Sequence, residues 1–124
     1  MPFLKTILVV DDNRVNRVIL STILSKQYAV LEAENGQIAL QILREHHEEI
    51  AAVMLDLVMP ILDGYAVLEA IQKSDKYSNM PILVTTDNSS HINERKALAL
   101  GAWDFVSKPY DAQIITFRLK NAID

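Results

Sequence analysis

Five short apolar runs alternate with helical patterns from one end of this chain to the other, and that alternation leaves few folds open. Thr6-Ile7-Leu8-Val9-Val10 is uninterrupted and β-branched, and it stops at Asp11 and Asp12. Ile50 to Leu55 stops at Asp56, Met80 to Thr85 runs into Thr86-Asp87, and Trp103 to Val106 leads to Lys108-Pro109. Tyr28 to Ala33 is a weaker, partly alternating run. Continuous apolar runs of this length suit strands covered on both faces, as in a parallel sheet flanked by helices.

The intervening segments carry helical spacing. Asn13 to Ser25 places Val15, Ile19 and Ile23 at i, i+4 and i+8 with Val18 alongside, which predicts one apolar helix face. Asn35-Gly36 is a turn signal ahead of a helix over Ile38 to Glu45, with Ala39, Ile42 and Leu43 inward. Asp63-Gly64 opens a third helix that runs to Lys73 and buries Val67, Ala70 and Ile71. Asn88, Ser89 and Ser90 offer caps for a fourth helix to Leu100, and Gly101 sits where its stop belongs. A last helix starts near Asp111 and buries Ile115, Leu119 and Ala122. Five βα units without a repeat, a low-complexity segment or a linker predict a single α/β domain over residues 1–124, with parallel strands joined by right-handed crossovers.

Composition removes several function classes. A chain of 124 residues can bury roughly two-thirds of its unfolded surface, enough for one core without staples. The absence of cysteine excludes disulfides, thiolate metal sites and cysteine nucleophiles, and fits a reducing compartment. A net charge of -4 lacks the basic footprint of a nucleic-acid binder. No apolar run nears the ~20 residues of a membrane span, and Met1-Pro2-Phe3-Leu4-Lys5 lacks the apolar stretch of a secretory signal. A cytoplasmic domain with no membrane partner and no direct nucleic-acid contact is expected.

In open parallel sheets, ligands bind beyond the carboxyl ends of the strands. The residues there are Asp11 and Asp12, Asp56, Thr86 and Lys108. Two carboxylates ~4 Å apart repel by on the order of 4 kcal/mol at an effective dielectric of roughly 20. A hard divalent cation relieves that repulsion, and an all-oxygen set with few protein ligands suits magnesium. A lysine opposite the acids and a hydroxyl beside them complete a cage for a tetrahedral oxyanion.

These residues, with Asp56-Leu57-Val58-Met59-Pro60, Asp63-Gly64, Pro81-Ile82-Leu83-Val84-Thr85-Thr86 and Phe105-Val106-Ser107-Lys108-Pro109, resemble the response-regulator receiver family in order and spacing across the whole chain. The resemblance implies a flavodoxin-like, doubly wound five-stranded parallel sheet of order 2-1-3-4-5 with five helices. It implies a switch of two-component signalling rather than a metabolic enzyme, one that catalyses only its own phosphorylation and slow dephosphorylation. Asp56 would accept a phosphoryl group from a phosphohistidine on a sensor histidine kinase or phosphotransfer protein, or from a small phosphodonor. Asp12, Asp56 and the Val58 backbone carbonyl would hold Mg2+, with Asp11 acting mostly through water. Lys108 and Thr86 would bind the phosphoryl oxygens, and Phe105 would turn inward as Thr86 moves. The output face would comprise the fourth helix, fifth strand and last helix, about His91 to Leu119. It is open to an output domain, a target protein or a second copy, none of which the sequence identifies.

Competing readings weigh less. Aspartyl-nucleophile phosphatases carry Asp-x-Asp after the first strand and a cap domain, and Asp11-Asp12-Asn13 lacks that spacing. A flavodoxin-like cofactor site needs a phosphate loop where two aspartates stand. A phosphorylation-independent docking module would not need the full set of acids, hydroxyl and lysine. Two features depart from the family or lie outside its machinery. Asp87 occupies a place where the family usually has a small residue, so it either narrows the site or points outward as a cap. Arg14, Arg17, His46, His47 and His91 read as solvated surface groups, and Trp103 as packing.

Overall fold

The computed structural model describes residues 4–87 and 94–124. The caps expected at Asn88, Ser89 and Ser90, and His91, lie outside the described residues. Along the chain run β1 (Thr6–Val10), α1 (Arg14–Leu24), β2 (Ala29–Ala33), α2 (Gly36–His46) and β3 (Ile50–Asp56). They are followed by α3 (Gly64–Gln72), β4 (Ile82–Thr86), α4 (Glu94–Ala99), β5 (Asp104–Ser107) and α5 (Ala112–Ile123). All strand pairs are parallel and the order is β2-β1-β3-β4-β5, as expected. Among the described residues no helix is long and apolar enough to cross a membrane.

Strand alternation divides the core into two layers. Leu8, Val10, Val53, Leu55, Ile82 and Val84 face α2 and α3, with Ala97 of α4 in the same cluster. Ile7, Val9, Ala52, Met54, Leu83 and Val106 face α1 and α5, where Leu20, Leu24, Ile115 and Leu119 meet them. Because the side-chain period of a strand is two, each residue at a strand end inherits the layer of the residue two before it. That parity governs the site described below.

Local chemistry sets the helix starts. Asn13, Asn35, Asp63 and Asp111 each accept a backbone N–H from the first turn of α1, α2, α3 and α5, contacts worth about 1 kcal/mol each. Asn35 therefore caps α2, which begins at Gly36 rather than Ile38. Gly101 (φ 106°) ends α4 as expected. Its N–H reaches the Leu98 carbonyl and that of Ala102 reaches Ala97, the paired bonds that close a helix through a left-handed residue.

Two expectations about packing are corrected. Helix α1 does not bury Val15, Val18 and Ile19, which are 65%, 52% and 41% exposed; Leu20 and Leu24 are buried instead. Arg17 lies on the same inward side, its guanidinium reaching back to the Asp11 carbonyl. Trp103 is not core but half-exposed ahead of β5, with its N–H on the Ile82 carbonyl.

Gly64 joins α3 to the end of β3 without room for a side chain. A Cβ there would lie 2.5 Å from both the Asp56 carbonyl oxygen and Leu57 Cα, which are backbone atoms that cannot rotate away. Gly64→Ala is expected to cost about 1–3 kcal/mol and to push the β3–α3 loop off Asp56. Urea-unfolding midpoints check this; a wild-type midpoint would show that the loop yields freely.

Candidate functional site

Parallel strands of similar length end at one edge, so β1, β3, β4 and β5 deliver their closing residues to a common cleft. By alternation Asp11, Asp56, Thr85 and Lys108 belong to the α1/α5 layer, whereas Thr86 and Phe105 belong to the other, where Phe105 packs partly buried. The register sets Asp56 beside Thr85 and Thr86 beside Ser107.

Asp11, Asp12 and Asp56 each offer a carboxylate oxygen, and these lie within 4.8 Å of one another. Asp12 is exposed, whereas Asp11 is 1% and Asp56 8% exposed. One Asp11 oxygen accepts the Asn13 N–H at 2.8 Å. The other lies 3.8 Å from Lys108 Nζ. Asp56 Oδ1 accepts the Val58 N–H at 3.1 Å. The Lys108 N–H donates to the Thr86 carbonyl at 2.7 Å, which ties the end of β5 to the end of β4. Val58 and Asp87 are exposed at the rim.

Charge is unbalanced here, with three acids beside one lysine. Burial and the neighbouring Asp11 push the Asp56 carboxyl up to about 6 from its ordinary 3.8. The Val58 N–H and Lys108 pull the other way, and Asp12 adds to the rise. Carboxylate pairs at this spacing repel by about 3–4 kcal/mol at an effective dielectric of roughly 20. The donor set is all oxygen, acidic and open on the Asp12 side, which fits a hard divalent cation.

Arg17 is the site residue that sequence reasoning missed. Its side chain is only 14% exposed, not the solvated surface group expected. Nη1 donates to the Asp11 carbonyl at 2.8 Å and Nε to Glu32 Oε1 at 3.2 Å, so it clamps the acidic turn to the end of β2. Helical spacing carries no signal for such a bond, since Glu32 lies fifteen residues away. Arg14 is exposed, as expected. His46 lies beside Glu45 and Glu49 on the exposed end of α2. His47 is half-buried against Tyr77, with ring centroids 5.4 Å apart, at the opposite edge of the sheet.

The family model that matches is the response regulator receiver domain, over residues 7–120. Histidine kinase P4 of Formosa agariphila is 33% identical over 96% of this chain, which spans 8% of that protein. A response regulator receiver domain protein from Clostridium thermocellum superposes with a TM-score of 0.88 at 30% identity, covering 97% of this chain and 94% of that one. The receiver domain of sensor histidine kinase PA1611 from Pseudomonas aeruginosa has a TM-score of 0.82 at 26% identity over 96% and 97% of the two chains. That structure holds a magnesium ion in its active-site cleft. The chain spans less than two thirds of the curated relatives it matches, from 8% to 54% of their length.

A carboxyl whose pKa is raised by folding favours the folded chain when protonated. That contribution is full below 3.8 and is lost as pH rises through about 6. Asp56→Asn is therefore expected to stabilise the protein at neutral pH, by on the order of 2 kcal/mol after allowance for partial solvation. The gain shrinks toward the acid end of a thermal-melt series. A gain that does not change with pH contradicts charge strain at Asp56.

Proposed function

Since this chain belongs to the response regulator receiver domain family of two-component signalling, we propose that Asp56 is its phosphoryl acceptor and that the strand-end cleft is its phosphorylation site. The observation that carries this is the three carboxylates with oxygens within 4.8 Å of one another, beside one lysine 3.8 Å from Asp11. The donor is a phosphohistidine on a sensor histidine kinase or phosphotransfer protein, or a small acyl phosphate.

Asp12, Asp56 and the Val58 carbonyl would hold Mg2+, with Asp11 acting mostly through water; bound there, the ion would offset the charge of the carboxylates and the phosphoryl oxygens. Asp56 is suited to attack because it is held by one backbone N–H and crowded by the carboxylates of Asp11 and Asp12. Its oxygen forms a bond to phosphorus as the bond to the donor breaks, and the departing imidazole takes up a proton. Lys108 leaves Asp11 for a phosphoryl oxygen, and Thr86 donates to another. Thr86 and Phe105 share the sheet face that meets α4, so movement of Thr86 frees space for the Phe105 ring. The α4–β5–α5 face then meets an output domain, a target or a second copy. On that face Arg118 grips Asp104 through contacts of 2.9 and 3.0 Å. The domain catalyses its own phosphorylation and slow dephosphorylation, within the cytoplasm.

Incubation with acetyl phosphate and Mg2+ is expected to add one phosphoryl group by intact mass, and both a chelator and Asp56→Asn abolish it. No adduct, together with no uptake of beryllofluoride, overturns the reading in favour of phosphorylation-independent docking. Asp87→Ala is expected to leave adduct formation and lifetime within about twofold, because Asp87 is exposed and is not among the carboxylates that converge on Asp56. A larger change places its carboxylate at the cleft mouth.

A further inference from the structure

Three buried oxygens in the α1/α5 half of the cleft are out of hydrogen-bonding geometry with any group: Asp11 Oδ2, Thr85 Oγ1 and the Tyr110 hydroxyl. Thr85 is 2% exposed and stands beside Asp56 in the strand register. Tyr110 packs against the α1/α5 core. Its hydroxyl is near enough to Thr85 to feel that side chain, and to Asp11 and Asp56 to feel their charge. Valine and phenylalanine would fill these positions without burying hydroxyls, and an unpaired buried hydroxyl is costly. Asp11 Oδ2 has only Lys108, 3.8 Å away. In the reaction described above, that lysine turns to the phosphoryl group and leaves a buried anionic oxygen with one cation fewer.

We propose that Tyr110 is a positioning residue of the phosphorylation cycle: its hydroxyl and that of Thr85 form a donor relay to Asp11 Oδ2 once Lys108 turns away. The inference rests on Asp56 being the acceptor. Thr85 lies between Asp56 and β5, so it links the acid cleft to the Tyr110 loop. Tyr110 directly precedes Asp111, which caps α5 by accepting the Gln113 and Ile114 N–H groups. The relay thus ties occupancy of Asp56 to the start of α5, on the opposite side of the sheet from Thr86 and Phe105. The site has two readouts, one per layer.

Beryllofluoride with Mg2+ serves as the phosphoryl probe, measured by calorimetry beside Mg2+ alone. Tyr110→Phe and Thr85→Val are each expected to weaken beryllofluoride binding roughly five- to tenfold more than Mg2+ binding. The double variant is expected to be no weaker than the worse single one, since a relay fails as a unit. Thr85→Ser keeps the hydroxyl and restores binding. In protein labelled at tyrosine Cζ, the resonance that Tyr110→Phe removes is expected to shift with beryllofluoride in the wild type, and much less in Thr85→Val. Equal losses for the two ligands, additive losses, or a wild-type resonance that stays put overturn the relay. Wild-type protein that takes up no beryllofluoride overturns the acceptor reading itself, and the relay with it.

Discussion

Three carboxylates meet at the sheet edge because the backbone brings them there. Asp11 and Asp56 are buried at the ends of strands whose apolar residues are committed to the core, so neither can withdraw far without disturbing a strand. Their repulsion cannot relax, and the Asp56 carboxyl is left far above its ordinary range. Lys108, itself fixed by the bond from its N–H to the Thr86 carbonyl, offsets only part of the charge. The fold carries a local electrostatic cost that a divalent cation is suited to relieve. On the proposed reading, the same residues that strain the free domain would make it responsive to phosphorylation.

Strand alternation gives that responsiveness its direction. Asp56 and Lys108 open toward the α1/α5 layer, while Thr86 and Phe105 open toward the α2–α4 layer. A change at one aspartate can therefore be felt on both faces of a sheet only one residue thick. The backbone around it is held firmly: Arg17 fixes the Asp11 turn from below, and Gly64 lets α3 start against the Asp56 carbonyl.

Much of this was legible in the residues. The apolar runs, the helix starts at Asn13, Asp63 and Asp111 and the stop at Gly101 are local signals, and each lies where local chemistry puts it. The set at the strand ends was legible as well, since reading the last residue of each run is enough to assemble Asp11, Asp12, Asp56, Thr86 and Lys108. Helix α1 was read correctly at Ile23, which packs against the core, and wrongly at Val15, Val18 and Ile19, because two apolar stripes compete in it. Val15, Ile19 and Ile23 make one; Leu20 and Leu24 make the other. Periodicity alone cannot choose between them; the structure buries Leu20 and Leu24, with the Arg17 guanidinium bonded to the Asp11 carbonyl on that side. Trp103 likewise reads as core by its size, yet it stands on a turn whose backbone rather than whose ring is tied to β4.

The sequence by itself determined the five βα units, their strand-end chemistry and the order of acids, hydroxyl and lysine, because strand and helix signals act over a few neighbouring residues. Only the tertiary structure decided which stripe of α1 turns inward, that Arg17 joins Asp11 to Glu32, and that Thr85 and Tyr110 bring unpaired hydroxyls to the same side of Asp56. Those outcomes depend on the register between strands and on contacts across many residues of chain. No periodicity encodes them, since they arise only once the sheet has set one strand against the next.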